Sequence, residues 1–254
     1  MTGMVVQPYW RAEDGPSRRV LRLVRPFGSR VVRTTWKVRV HDAHHVPESG
    51  PVILAANHVG FLDGPLVWAA VRRPVHALVK QEMFRGVVGR ALRAIGQIPV
   101  DRQAVDIAAV KACLAVLERG DVLAIYPEGT RGAGDFSRIK PGVAYLALCT
   151  GAPIVPVACL GTRQPGRPVG SVPRPRTRLD VVFGPPVRLD LTPWPRRQAV
   201  VREQARWLQK WLMAHVGYAC EKTGQALPGP VSRGGPGPGP TVASDAGQHT
   251  KDVS

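Results

Sequence analysis

Residues 57–63 place a histidine and an aspartate in a stretch that is suited to acid–base chemistry. His58 and Asp63 are five residues apart, so on one continuous helix they would point in different directions, because only residues three or four apart share a face. An irregular turn can instead bring the imidazole and the carboxylate into contact. A carboxylate on one ring nitrogen sets the tautomer and leaves the other nitrogen free to take a proton. The pair is therefore a candidate general base for a hydroxyl.

This turn lies between a predicted strand and a predicted helix. Residues 51–56 are an apolar run, typical of a buried strand in an α/β sheet. Asp63 followed by Gly64 and Pro65 is typical of a helix start, with Asp63 as the N-cap. His58 and Asp63 are therefore expected at the carboxyl end of a strand, where α/β proteins place their sites. Local bonding of both side chains to the backbone is the alternative that this motif alone leaves open.

A charged loop follows a second predicted buried strand, which covers residues 121–126. The loop contains Glu128, Gly129, Thr130 and Arg131. Backbone N–H groups near Gly129, the Thr130 hydroxyl and the Arg131 guanidinium are groups that can form an anion-binding concavity.

Two more cations come at the ends of predicted strands. Residues 96–102 read as a short strand that ends in Asp101 and Arg102, and the planar guanidinium of Arg102 suits a phosphate. A surface salt bridge with Asp101 is the alternative for Arg102. Lys80 ends another short predicted strand and can add charge to the same end of the sheet, or can be an ordinary solvated lysine.

Apolar spacing along the rest of the chain predicts alternating helices and strands, which is typical of an α/β fold. The predicted helices extend from residue 63 to about residue 73 and over residues 82–95, 104–119, 141–150 and 196–222. The further predicted strands cover residues 37–40, 154–158 and 178–183.

The chain of 254 residues is strongly basic, with a formal net charge of +17. Such a charge attracts nucleic acid, anionic membranes or phosphorylated and CoA-like ligands. Residues 17–40 are rich in positive charge. Their apolar residues lie at helical spacing with basic residues between them, and no acidic residue occurs. The segment is expected to lie in the interface of an anionic membrane, or to pack on the core with a solvated basic face. Pro26 is expected to divide it into two short helices or to kink one.

The sequence lacks the signatures of several other classes of protein. The chain has no secretory signal pattern and no apolar run of about 18 residues that would span a bilayer as one helix. Its four cysteines have neither a CxxC motif nor metal-site spacing, which indicates a reducing compartment. The histidines of residues 41–45 favour a surface loop over a metal site. A serine hydrolase is disfavoured because no GxSxG motif is present.

Four blocks, in order over roughly residues 50–165, resemble those of the glycerolipid acyltransferase family, which includes 1-acyl-glycerol-3-phosphate acyltransferases. Asn57, His58 and Asp63 match the family pattern NHxxxxD, and residues 96–102 match the second block. Residues 126–132 match the FPEGTRS block, with Tyr126 and Gly132 as departures. Val155, Pro156 and Val157 match the fourth block, a strand that contains a proline. The resemblance implies a mixed, mostly parallel central sheet flanked by helices.

The resemblance also implies a reaction. His58 deprotonates the hydroxyl of a lysophospholipid, Asp63 orients the imidazole, and the alkoxide attacks an acyl-CoA or acyl-carrier-protein thioester. No cofactor, metal or covalent acyl-enzyme is required, because the thioester is a co-substrate. Arg102, Glu128, Gly129 and Arg131 become the acceptor-binding set, with Glu128 binding a hydroxyl or bracing the arginines.

The expected acceptor is lysophosphatidic acid, and the expected location is the cytoplasmic face of the cell membrane, peripherally bound. Another lysophospholipid or hydroxylated lipid is the alternative acceptor, because Gly60 also departs from the serine that the family often has there. A basic membrane- or nucleic-acid-binding protein without catalysis is the alternative class. Nucleic acid is not expected as a partner, because no element that reads it is recognisable.

The predicted organisation has four parts. A flexible lead-in covers residues 1–16, a basic amphipathic membrane-associating segment covers residues 17–40, the acyltransferase domain covers residues 41–224, and a disordered tail rich in proline and glycine covers residues 225–254.

Overall fold

The computed structural model describes residues 16–103, 105–192 and 197–230. The described strands are β1 (Lys37–His41), β2 (Val52–Ala56), β3 (Val75–Lys80), β4 (Ile98–Val100), β5 (Val122–Ile125), β6 (Ile154–Leu160) and β7 (Arg178–Phe183). The described helices are α1 (Arg19–Thr35), α2 (Asp63–Ala70), α3 (Gly86–Ala94), α4 (Ile107–Glu118), α5 (Gly142–Thr150) and α6 (Gln198–Thr223), with single 3-10 turns at Ala43–His45 and Gln81–Met83.

The seven strands form one sheet in the order β1-β7-β6-β2-β5-β3-β4. The five strands from β6 to β4 are parallel, β7 is antiparallel to β6, and β1 is parallel to β7. The predicted mixed, mostly parallel sheet flanked by helices is confirmed. Strand β2 lies in the middle, between β5 and β6, so the turn that follows it leaves the sheet at its centre.

Side chains of the central strands alternate between two core layers. Ile53 and Ala55 of β2 join the layer that contains α4, α5 and α6. Val52, Leu54 and Ala56 join the layer that contains α2. All five residues of β2 are fully buried, as expected for a central strand with helices on both faces.

Helix α1 covers part of α2. It is one helix with Pro26 inside, so Pro26 does not divide it into two short helices, and the predicted alternative of a kink stays a prediction. Buried Leu21 and Val32 face the domain, and the Ser29 hydroxyl donates to the carbonyl of Ala69 at the end of α2. The predicted packing on the core is therefore present. Membrane association of the same helix stays a prediction.

Some predicted element boundaries were wrong. Helix α2 ends at Ala70 rather than near residue 73. The single helix predicted over residues 82–95 is instead a 3-10 turn followed by α3, which begins at Gly86 with a positive φ of 58°. A residue in the left-handed region cannot continue an α-helix, so the chain changes direction there.

The two ends of the chain fall largely outside the described residues. Of the predicted lead-in only Pro16 is described, and residues 231–254 of the predicted disordered tail lie outside as well. The predicted start of that tail at residue 225 is wrong. Gln225 donates to the buried carboxylate of Asp180, Leu227 packs against the core, and the carbonyl of Gly229 accepts a hydrogen bond from Arg163.

Candidate active site

His58 and Asp63 are in contact in the turn between β2 and α2. The Nδ1 atom of His58 is 2.7 Å from Oδ2 of Asp63, as the sequence predicts for an irregular turn. The same Oδ2 atom accepts the backbone N–H groups of Val59 and Gly60, at 2.7 and 2.9 Å. Asp63 is therefore not the predicted N-cap. It is the first residue of α2, and its carboxylate folds back and organises the turn that precedes it.

Thr162 supplies another bond to this carboxylate. Its hydroxyl donates to Oδ1 of Asp63, and both residues are fully buried. Thr162 follows β6, which pairs with β2, so the loop after β6 leaves the sheet beside the turn after β2. No motif in the sequence indicated Thr162, whose only signal was its position just beyond a buried strand.

The second ring nitrogen of His58 is the atom that remains for chemistry. In the described part of the chain Nε2 has no hydrogen-bond partner, and the side chain is 10% exposed. The ring of Tyr126 lies 4.3 Å from the imidazole at an interplanar angle of 30°. Because Asp63 accepts from Nδ1–H, the neutral imidazole presents Nε2 as a proton acceptor.

Glu128 connects the loop after β5 to this turn. Its Oε2 atom accepts the N–H of His58 and its Oε1 atom accepts the N–H of Phe136, both at 3.0 Å. Burial raises the pKa of Glu128 to about 7. Among residues 16–103, 105–192 and 197–230, no ion pair joins Glu128 to Arg102 or Arg131. Glu128 thus braces the backbone around the candidate base rather than the arginines.

Asn57 joins β2 to β6 next to the histidine. Its side-chain oxygen accepts the N–H of Cys159 at 2.7 Å, and its amide nitrogen donates to the carbonyls of Cys159 and Gly134 at 3.2 and 3.3 Å. The asparagine that precedes the base is therefore fully buried and structural.

Arg102 and Arg131 are electrostatic neighbours. The pKa of Arg102 is lowered, first by burial and then by the positive charge of Arg131. The Arg131 guanidinium lies 5.5 Å from the ring centroid of Phe61. Its Nε atom is buried and has no hydrogen-bond partner within the described residues. Two adjacent cations with an unused buried donor suit an anionic ligand.

The loop that contains Arg131 uses two of its backbone N–H groups for its own fold. The N–H of Gly129 donates to the carbonyl of Tyr126, and the N–H of Gly132 donates to that of His58, so neither is available to an anion. The N–H of Gly129 itself is therefore excluded from the predicted anion-binding concavity, which otherwise stays a prediction. Thr130 and Lys80 are exposed, and their binding roles stay predictions.

Lys140 is a further cation that the sequence analysis missed. Its Nζ atom lies 3.5 Å from the carbonyl oxygen of Arg102, and its side chain packs against Gly129, where an added Cβ would lie 2.9 Å from Cε. Its only sequence signal was its place before the predicted helix over residues 141–150.

A mostly apolar cavity of about 820 Å³ opens beside these cations, between the sheet and helices α4, α5 and α6. Its apolar lining includes Leu78, Val100, Val110, Cys113, Ile125, Val143, Leu146 and Val201. Arg102, Tyr126 and Lys140 border it as well, and Tyr126 also contacts His58. An apolar chain held here would therefore end near the candidate base.

The histidines of residues 41–45 make structural contacts. Nε2 of His41 lies 2.7 Å from Oδ1 of Asp180, and Nδ1 of His45 lies 3.0 Å from the carbonyl oxygen of Phe183. No group of three or more potential metal ligands occurs in the described residues.

Comparisons with known proteins agree with the resemblance. The family model described as "Acyltransferase" matches residues 37–160. A 1-acyl-sn-glycerol-3-phosphate acyltransferase of Bacillus subtilis is 29% identical over 126 residues, which cover 49% of this chain and 63% of that protein. The protein of the same name from Borreliella burgdorferi is 33% identical over 133 residues, covering 50% and 53%. The chain thus spans just over half to under two thirds of the length of these relatives.

One solved structure is similar in fold. The crystal structure of the 1-acyl-sn-glycerophosphate acyltransferase PlsC from Thermotoga maritima aligns with a TM-score of 0.57 at 20% identity. The alignment covers 76% of this chain and 78% of that one. Residues 37–160 are therefore similar in sequence to the acyltransferase family, and the chain is similar in fold to this solved structure.

Proposed function

We propose that this protein transfers a fatty acyl group from an acyl thioester to the free hydroxyl of 1-acyl-glycerol-3-phosphate, giving phosphatidic acid. The donor is acyl-CoA or acyl-carrier-protein. The observation that carries the proposal is the His58–Asp63 contact, which leaves Nε2 as the acceptor of a proton. The names of the relatives from Bacillus subtilis and Borreliella burgdorferi support this choice of reaction.

The proposed reaction needs one base and no covalent intermediate. Nε2 of His58 takes the proton of the acceptor hydroxyl while its oxygen attacks the thioester carbonyl carbon. The tetrahedral intermediate then collapses, the C–S bond breaks, and the sulfur leaves as a thiol with the proton from Nε2. Asp63 stabilises the transient imidazolium through its bond to Nδ1–H.

The surroundings of His58 supply a place for each part of the substrates. Arg102 and Arg131 would bind the acceptor phosphate, with Lys140 as a third positive charge. The apolar cavity of about 820 Å³ would hold an acyl chain, and this volume lies within the range of about 300–1,000 Å³ usual for ligand cavities.

Peripheral binding to the cytoplasmic face of the cell membrane is the proposed location. Helix α1 carries exposed apolar side chains, with Leu23 at 79% and Phe27 at 75% exposure, and it has no acidic residue. Such a helix suits the interface of an anionic membrane. Across the described residues, none of the helices is both long and apolar enough to span a bilayer.

The test is an acyl-transfer assay of the purified protein on lipid vesicles. A mixture of acyl-CoAs, and acyl-carrier-protein in a parallel reaction, would be offered with lysophosphatidic acid, glycerol-3-phosphate and lysophosphatidylcholine. We expect phosphatidic acid from lysophosphatidic acid alone. Product from a different acceptor would move the proposal to that lipid.

His58→Ala should lower kcat by a factor of about 10²–10⁴, the usual contribution of a general base. His44→Ala, which removes an exposed histidine, is the matched control and should keep wild-type activity. Full transfer by His58→Ala would exclude the proposed mechanism. Absence of transfer by the wild type, together with equal binding of vesicles and nucleic acid by both variants, would favour a binding protein.

A further inference from the structure

We propose that Thr162 and Arg163 are positioning residues that hold the Asp63–His58 pair from the loop after β6. This inference rests on the proposed function, because it assigns to the two residues the task of keeping the base in its working geometry. Neither residue belongs to the four blocks that carry the family resemblance.

Thr162 acts on the carboxylate. Asp63 is fully buried, and a buried charge is costly unless hydrogen bonds compensate each oxygen. Three donors reach Oδ2, and they come from His58, Val59 and Gly60. Within the described residues, the Thr162 hydroxyl is the single donor to Oδ1. Removing it leaves one buried oxygen without a partner and frees the carboxylate to rotate away from the imidazole.

Arg163 acts on the backbone of the same turn. The residue is 2% exposed, and its Nε atom donates to the carbonyl of Val59, the residue after the base, at 2.8 Å. Its Nη2 atom donates to the carbonyls of Gly132 and Gly229, at 2.8 and 2.7 Å. One side chain therefore connects the His58 turn, the loop after β5 and the segment after α6.

The two loops approach each other closely. A Cβ added at Gly60 would lie 2.7 Å from the carbonyl oxygen of Thr162, so the turn and the loop are in backbone contact. Lysine in place of Arg163 could not reproduce the three contacts, because it has one charged nitrogen rather than a planar fork.

The experiment compares Thr162→Val and Thr162→Ser with the wild type in the vesicle assay. Thr223→Val is the matched control, because Thr223 is also buried and its hydroxyl donates to the carbonyl of Ala219, in a helix away from Asp63. We expect Thr162→Val to lower kcat about 10- to 100-fold without changing KM, the loss expected for a hydrogen bond to a charged group. Thr162→Ser should restore kcat, and Thr223→Val should leave it unchanged.

Rescue by serine separates positioning from a general loss of stability. Thr162→Ser keeps the hydroxyl that donates to Asp63, whereas Thr162→Val keeps the size of the side chain and loses the donor. A folded Thr162→Val protein with wild-type kcat would overturn the role of Thr162 while the proposed function stands.

A measurement that does not depend on acyl transfer distinguishes failure of the positioning role from failure of the proposed function. The Nδ1 proton of His58 should give a downfield NMR resonance that His58→Ala lacks, and Thr162→Val and Arg163→Lys should shift it. If the wild type transfers no acyl group, the proposed function fails, and this resonance alone decides the positioning. An unchanged resonance in folded Thr162→Val or Arg163→Lys would overturn the role of that residue.

Discussion

At the scale of single residues, Glu128 shows how a side chain of a recognisable motif can serve the fold of the site. Its two carboxylate oxygens accept backbone N–H groups from His58 and Phe136. Burial raises its pKa to about 7 from an ordinary value of 4.5. The Glu128 carboxyl group loses its proton at a lower pH in the unfolded chain than in the folded protein. The contribution of the protonated group to the free energy of unfolding is therefore complete below pH 4.5. It is lost as the pH rises to about 7.

We therefore expect the advantage in stability of the wild type over Glu128→Gln to narrow as the pH rises from 5 to 8. The full change is at most on the order of 3 kcal/mol, from the linkage between pKa and stability. Glutamine does not titrate, and its NH₂ group would face one of the two backbone N–H donors. Urea denaturation at several pH values measures the difference.

Glu118→Gln, at an exposed position of α4, is the control and should give a curve parallel to that of the wild type. Parallel curves for Glu128→Gln and the wild type would contradict the raised pKa of Glu128.

At the scale of elements, the turn after β2 and the loop after β6 are in close contact at Gly60, which has no side chain. Gly60 faces the backbone of Thr162, and an added Cβ would lie 2.7 Å from its carbonyl oxygen. A serine, which the family that the chain resembles often has at this position, would carry the same Cβ and would not fit this spacing. The glycine is required here by contact and not by a left-handed φ.

Gly60→Ala should lower the free energy of unfolding by about 1–3 kcal/mol, the usual cost of overpacking. It should also lower kcat, since the displaced loop carries Thr162. Gly64→Ala is the stability control, because its Cβ would meet only the Tyr126 hydroxyl oxygen, at 3.8 Å. Chemical denaturation of both variants measures their free energies of unfolding. Equal values for Gly60→Ala and Gly64→Ala would show that the two loops can separate without a loss of stability.

At the scale of the whole molecule, charge and exposed apolar surface coincide on α1. The chain has a formal net charge of +17, and α1 contributes arginines without any acidic residue. The helix is anchored on α2 by the bond from Ser29 to Ala69, which leaves Leu23 and Phe27 exposed. An anionic membrane would attract the arginines, and its acyl boundary would take the apolar side chains.

The double variant Leu23→Ser/Phe27→Ser should bind anionic vesicles at least about tenfold more weakly, since burial of each such side chain contributes about 1.5–3 kcal/mol. Salt should weaken binding by the wild type, because the attraction between arginines and anionic headgroups is screened. Vesicle co-sedimentation over a salt series measures both effects.

The control for this experiment is Leu191→Ser/Met213→Ser, which changes two exposed apolar residues outside α1. Loss of vesicle binding in the control, or full binding by the α1 variant, would contradict the assignment of the membrane surface.

Local sequence predicted the existence of nearly every described element, because buried strands and amphipathic helices leave a periodic pattern of apolar residues. Boundaries were less predictable. The break before α3 depends on a positive φ at Gly86, and the order of residues 225–230 depends on Gln225, Leu227 and Gly229 meeting partners that are distant in sequence. Propensity gave no indication of such contacts.

The sequence by itself predicted the resemblance to the acyltransferase family, the α/β class and the pairing of His58 with Asp63, because these predictions follow from residue types at short spacing. Only the tertiary structure decided what holds that pair. Thr162 and Arg163 lie 99 and 104 residues from their partners Asp63 and Val59. They reach the turn because β6 lies beside β2 in the sheet. Strand order is set by packing of the whole core, so no local pattern contains it.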